Sequence, residues 1–203
     1  VVLCDWYEGV SLQSKIEESR NNPAKMQSLS QIFEKFALSL LNERWAHGDL
    51  KPENIIFSPD GLHLIDFDAM YREGFSADDC VEVGTRPFQH PLRERYHFGR
   101  DIDDYPIALI TTVLAALSLD SSLGNKIPNN DYLLINPQLA VLGQDAMLER
   151  IETLFAEHGD IRHYRIAKLL RSQNVALPQL KYLLEAAPQP TDSYKYYLLY
   201  SMH

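Results

Sequence analysis

Between Ile102 and Leu119 the chain carries isoleucine, leucine, alanine, threonine and valine on every side, so a helix there has no polar face to offer water. Such a helix has to be enclosed by other elements, and the rest of the chain must fold around it. A bilayer span is excluded, because the apolar run from Ile107 to Leu119 falls short of the roughly 18 residues required and is interrupted by threonines.

A second long element is legible upstream. Asn22 is placed as an N-cap and Pro23 at the first helical position. Met26, Leu29, Phe33, Phe36, Ala37, Leu40, Leu41 and Trp45 then follow at three- and four-residue spacing, the stripe of a helix with one buried face. Around these two elements the pattern predicts a strand over Val1–Cys4, a short helix over 11–20, and helices near 144–157, 161–172, 178–187 and 192–201. Residues 120–138 read as a linker, and residues 68–100 as a long irregular segment of the kind that usually carries function.

At 203 residues the chain suits one or two domains and can bury a core without a metal or disulfide staple. Its two cysteines, Cys4 and Cys80, give neither a disulfide framework nor a cysteine-rich metal site. His90, His97, His158 and His163 have no metal-ligand spacing with other strong ligands. A formal charge of −9 argues against a nucleic-acid partner, whose phosphates need clustered Lys and Arg. No signal peptide is read, and no membrane partner, so a reducing, cytoplasmic setting is expected. The start at Val1-Val2-Leu3, without methionine, suggests a piece of a longer chain.

The chemistry concentrates around a predicted hairpin. Asn54–Phe57 and Leu62–Ile65 are short β-rich runs, and Ser58-Pro59-Asp60-Gly61 between them suits a type I turn. The turn folds Asn54 and Asp66 to nearly level positions, with Asp49 and Lys51 in the loop just upstream. Two carboxylates, an amide and an ammonium thus converge at one end of the hairpin. Oxygen donors of this kind suit Mg²⁺ held by one or two carboxylates plus substrate phosphates. A further carboxylate can orient a hydroxyl, and a lysine can neutralise charge on a transferring group.

The run His47-Gly48-Asp49-Leu50-Lys51-Pro52-Glu53-Asn54 resembles the catalytic loop of the eukaryotic-type Ser/Thr protein kinase family, and Asp66-Phe67-Asp68 resembles its metal-binding triplet. Val2 to Gly9 is similar to the strand and hinge joining the two kinase lobes. Gly84-Thr85-Arg86-Pro87-Phe88-Gln89-His90-Pro91 is similar to the end of the activation segment, and Asp103 to Ala108 to the start of the central helix. The similarity runs in order from residue 1 to about 119. It implies an α+β, mainly α fold: the kinase-like C-lobe at 13–171, preceded by a small-lobe end strand and hinge at 1–12 and followed by a helical C-terminal extension at 172–203.

By the same resemblance, Asp49 accepts the substrate hydroxyl proton and Lys51 contacts the γ-phosphate of ATP, while Asn54 and Asp66 hold Mg. Cys4 stands at the gatekeeper position, Asp5 and Tyr7 meet adenine through their backbone, and Ile56 belongs to the same nucleotide-binding group. His47 and Phe67 are structural; Asp103, rather than Asp101, ties down the loop backbone. Thr85 either contacts the catalytic loop or caps a turn. The implied activity is phosphoryl transfer from ATP to a protein hydroxyl, with Lys51 favouring Ser/Thr over Tyr. Partner docking is an alternative role for the Tyr194–Tyr200 stripe at the C-terminal helices.

Four departures qualify the match. Gly48 replaces an arginine that reads a phosphorylated loop, so no dependence on loop phosphorylation is expected. Asp68 replaces a glycine and should stiffen the triplet. Leu92 replaces a glutamate whose ion pair is lost unless Glu94 substitutes. No Gly-rich phosphate loop, strand lysine or partner glutamate precedes the hinge, so this chain alone is expected to be weakly active or inactive. Two rivals remain: a small-molecule kinase of the aminoglycoside or choline type, disfavoured by Lys51 and the 84–91 stretch, and a pseudokinase scaffold.

Overall fold

The computed structural model describes residues 8–59, 61–126 and 133–186. The expected strand at Val1–Cys4, the candidates Cys4, Asp5 and Tyr7, and the expected helix at 192–201 with Tyr194, Tyr196, Tyr197 and Tyr200 lie outside these residues.

Helix α3, Asp104–Leu119, is the axis of the molecule: every residue from Asp104 to Leu117 is buried. Helices α2 (Pro23–Leu41), α5 (Ala146–Glu157) and α6 (Ile161–Leu169) pack against it. Ile107, Leu109, Ile110, Val113, Leu114 and Leu117 are each wholly removed from solvent. Burial contributes about 1.5–3 kcal/mol for each such side chain, which explains why a helix with no polar face is stable here. The same core takes in Leu12 and Ile16 of α1 (Leu12–Ser19) and Leu180 and Leu184 of α7 (Leu180–Glu185). It includes Leu177 as well, so residues beyond the expected boundary at 172 pack into the core without a break.

The rest is α+β in the modest sense of two small antiparallel sheets beside a mainly helical body. Strands β1 (Val10–Ser11), β3 (Ile55–Ser58) and β4 (Gly61–Leu64) form one sheet in the order β1-β3-β4. Its register places Ile55 opposite Leu64 and Val10 opposite Phe57. Strand β2 (Trp45–Ala46) pairs with β5 (Tyr71–Arg72) in the other. Among the described residues no helix is long and apolar enough to cross a membrane.

The N-terminal signal of α2 acts as the sequence reads: the Asn22 side chain accepts from Lys25 N–H, with Pro23 at the first position. Its end differs. The helix stops at Leu41, where the Asn42 side chain turns back to donate to Leu38 O at 2.8 Å, and Trp45 belongs to β2. Trp45 follows Leu41 at helical spacing, but the polar Asn42-Glu43-Arg44 between them offers nothing to bury. The expected linker at 120–138 also holds structure, a 3₁₀ segment at Ser121–Lys126 and the start of helix α4, Pro137–Val141.

Candidate functional site

Leaving β2, the chain enters a buried loop whose backbone is held from α3. Asp103 accepts from the backbone N–H of His47 at 2.5 Å and from that of Gly48 at 2.9 Å, so both carboxylate oxygens are spent on two successive amides. Full burial pushes the Asp103 carboxyl up, against the pull of His47, these two amides and Arg93. Asp101, exposed, has no part in this. His47 Nδ1 accepts from Asp49 N–H at 3.3 Å, which leaves the proton on Nε2, 2.9 Å from Ile65 O. The His47 ring also lies 5.0 Å from that of Phe67, whose other neighbour is Trp45 at 6.1 Å. Loop and triplet are thereby joined through one imidazole.

Asp49 is the hub. Its Oδ1 accepts from Thr85 N–H at 2.5 Å, and its Oδ2 pairs with Lys51 Nζ at 2.9 Å. Asn54 Nδ2 donates to Asp49 O at 3.0 Å and to Oδ2 at 3.3 Å. Burial works to raise the Asp49 carboxyl, but bonds from Lys51 and Thr85 outweigh it and hold the group below the usual carboxylate range. The same pairing lifts Lys51 above its ordinary value despite desolvation, with smaller help from Glu53 and Asp66. Lys51 Nζ also donates to Thr85 Oγ1 at 2.9 Å. Thr85 therefore touches the loop through both backbone and side chain, and its hydroxyl caps nothing in the 3₁₀ turn Arg86–Phe88.

Asp66 follows the last hairpin bond, in which Ile65 N–H donates to Asn54 O at 3.0 Å. The hairpin thus brings Asn54 and Asp66 to one end. Asp66 is exposed and sits at φ +66°, a left-handed conformation uncommon outside glycine and asparagine or aspartate. Asp68 is exposed. Ile56, in β3, is half-buried opposite His63. Among the described residues no three His, Cys, Asp or Glu side chains converge on one point. The donor set still fits Mg²⁺, which keeps waters and phosphate oxygens and needs few protein ligands. With Asn54 Nδ2 committed to Asp49, Asn54 Oδ1 and the Asp66 carboxylate are the oxygens for that role.

Position 48 admits only glycine. It has φ +83°, and a Cβ there would stand 1.9 Å from Ala69 O. A Cβ on Gly84 would come within 2.5 Å of Gly48 O, so the two segments meet backbone to backbone. Gly48 O accepts from Arg93 Nη1 at 2.7 Å and from Gln89 Nε2 at 3.2 Å. Arg93 lies outside every motif legible in the sequence, and Gln89 carries no assigned role within the 84–91 stretch; both lie more than 40 positions from the glycine they hold. Glu94 does not stand in for the glutamate replaced by Leu92: among the described residues it forms no ion pair. The segment is anchored instead by His90 Nε2, 3.0 Å from Ser172 O. The sequence matches no protein-family model and no curated protein.

Proposed function

We propose that this chain is the large lobe of a Ser/Thr-protein-kinase-like phosphotransferase, moving the γ-phosphoryl of ATP to a protein hydroxyl with Mg²⁺ assistance. The observation that carries the reading is the hub at Asp49, where Lys51, Asn54 and Thr85 all meet one carboxylate. A carboxylate held below its usual range is a weak base, so its contribution is to orient an incoming hydroxyl and accept its proton late. Lys51, kept protonated by Asp49, neutralises charge where the phosphoryl group transfers. Bound MgATP would supply the phosphoryl group, with Asn54 Oδ1 and Asp66 holding the metal. The Lys51–Thr85 bond ties the loop to the 84–91 stretch and supports a peptide acceptor over a small hydroxylated one.

A scaffold reading is favoured by one feature: Asp49 is only 4% exposed and both of its oxygens are already engaged. Transfer of labelled γ-phosphate from MgATP to an unfolded, serine-rich protein separates the two. The phosphotransferase reading expects slow transfer that is lost in Asp49→Asn and Asp66→Asn. MgATP binding without any transfer supports the scaffold, and absence of both overturns the kinase-like reading altogether.

A further inference from the structure

Beside the Asp49 hub, residues 83–93 and 136–138 enclose a cavity of about 200 Å³. Two of its lining residues, Arg86 and Arg93, are cationic, and none is acidic, in a chain whose formal charge is −9. Arg93 is 4% exposed. Its Nη1 is spent on Gly48 O and Gln89 Oε1, while Nε and Nη2 have no hydrogen-bond partner. The nearby carboxylates make no hydrogen bond to it. Those of Asp103 are taken by the amides of His47 and Gly48, and those of Asp49 by Thr85, Lys51 and Asn54. Burial pushes the Arg93 guanidinium down from its ordinary value, against the pull of Asp103 and Asp49. Asp103 and Asp49 attract this cation through space without hydrogen-bonding it, so an anion brought into the cavity beside Arg86 and Arg93 adds a further favourable charge interaction.

Arg86 stands exposed at the cavity, directly after Thr85, whose hydroxyl and amide reach Lys51 and Asp49. The volume lies below the ~300–1,000 Å³ of pockets that enclose whole small molecules, and suits a single side chain. Pro87, Pro91 and Pro137 give it apolar walls. We propose that this cavity receives the carboxylate of an aspartate or glutamate lying close to the acceptor hydroxyl, so that the protein selects acidic acceptor sequences. The proposal rests on the phosphotransfer reading for the identity of the occupant, and on the two arginines for its charge.

The test is equilibrium binding, with no nucleotide present, of two fluorescein-labelled alanine-based heptapeptides. Each contains one serine, flanked by glutamates in one peptide and by glutamines in the other. The glutamate peptide is expected to bind about tenfold more tightly to the full chain. That preference should fall to within about twofold in Arg86→Gln and in Gln138→Glu, which places a competing carboxylate in the cavity. Both variants leave Arg93 and its bond to Gly48 in place, and circular dichroism verifies their folding. Equal binding of the two peptides, binding of neither at millimolar concentration, or a preference that survives both substitutions overturns the proposal. A preference with neither MgATP binding nor phosphoryl transfer leaves the cavity's role standing and removes the kinase-like reading. Transfer without a preference does the reverse.

Discussion

The backbone N–H of Thr85 donates to Asp49 Oδ1 at 2.5 Å, closing a contact between residues 36 positions apart. Through that bond the irregular 68–100 segment becomes one wall of the site, and the loop carboxylate has a fixed direction before any ligand arrives. Preorganisation of this kind is what transfer chemistry based on positioning requires.

Lys51 and Thr85 together depress the Asp49 carboxyl. Replacing Lys51 by methionine removes one donor and one positive charge while keeping the stem. The Asp49 pKa, followed by carbon-detected NMR, should then rise towards the ordinary carboxylate range. An unchanged value would show that the lysine does not set the charge state of the hub.

Gly48→Ala meets both a left-handed φ of +83° and an Ala69 carbonyl 1.9 Å from the new Cβ. Urea denaturation should show a loss of about 2–4 kcal/mol. Gly74→Ala is the control, because Gly74 also has a positive φ, +94°, but nothing within 4 Å. It should cost about 1 kcal/mol. Equal losses would mean that the close approach at Gly48 is not a constraint.

Asp104, in the first turn of α3, accepts from Leu177 N–H at 2.7 Å and is pushed by burial to about 7. The folded protein therefore binds this proton more tightly than the unfolded chain does, and stability from this group falls as pH rises from about 4 to about 7. Asp104→Asn keeps an acceptor for Leu177 and removes the charge. It should be more stable than the parent by about 2–4 kcal/mol at pH 8 and about equal to it at pH 4. A gap of the same size at both values would contradict the linkage.

His163 has its ring between two carboxylates, with Nδ1 2.6 Å from Asp160 Oδ2 and Nε2 2.8 Å from Glu34 Oε1. Desolvation opposes its protonation, but Asp160 and Glu34 outweigh it and raise the pKa. The stabilisation is complete below about 6.5, the unfolded value, and is lost as pH climbs through the folded one. His163→Gln should cost about 2–4 kcal/mol at pH 6 and less at pH 9, read from thermal unfolding. A penalty that grows with pH would show that the ring is neutral in the fold.

What could be read from sequence follows the range of the interactions involved. Asn22-Pro23 fixes the start of α2 through a bond to Lys25, three residues away, and β3 and β4 pair as neighbours in sequence, Ser58 opposite Gly61. Both are local, and both are legible. Asn136-Pro137 carries the same signal as Asn22-Pro23, but α4 is only five residues long and its stripe is too short to read. The far end of α2 is misleading because Trp45 keeps helical spacing while its backbone pairs with Arg72. At the site, Asp49, Lys51 and Asn54 lie within one loop and share a pattern. The bonds from Arg93 and Gln89 to Gly48, and from His163 to Glu34, join residues whose spacing bears no relation to any helix or strand period. The packing of α2 and α6 on α3 brings Glu34 and His163 together, and no local pattern records it.

The most direct measurement on the chain is the effect of ATP with Mn²⁺, a paramagnetic substitute for Mg²⁺, on amide resonances. Broadening should center on residues 49–54 and 65–68, require both nucleotide and metal, and disappear in Asp66→Asn. Broadening scattered over the acidic surface, or unchanged by that substitution, would contradict a metal–triphosphate site at the hairpin.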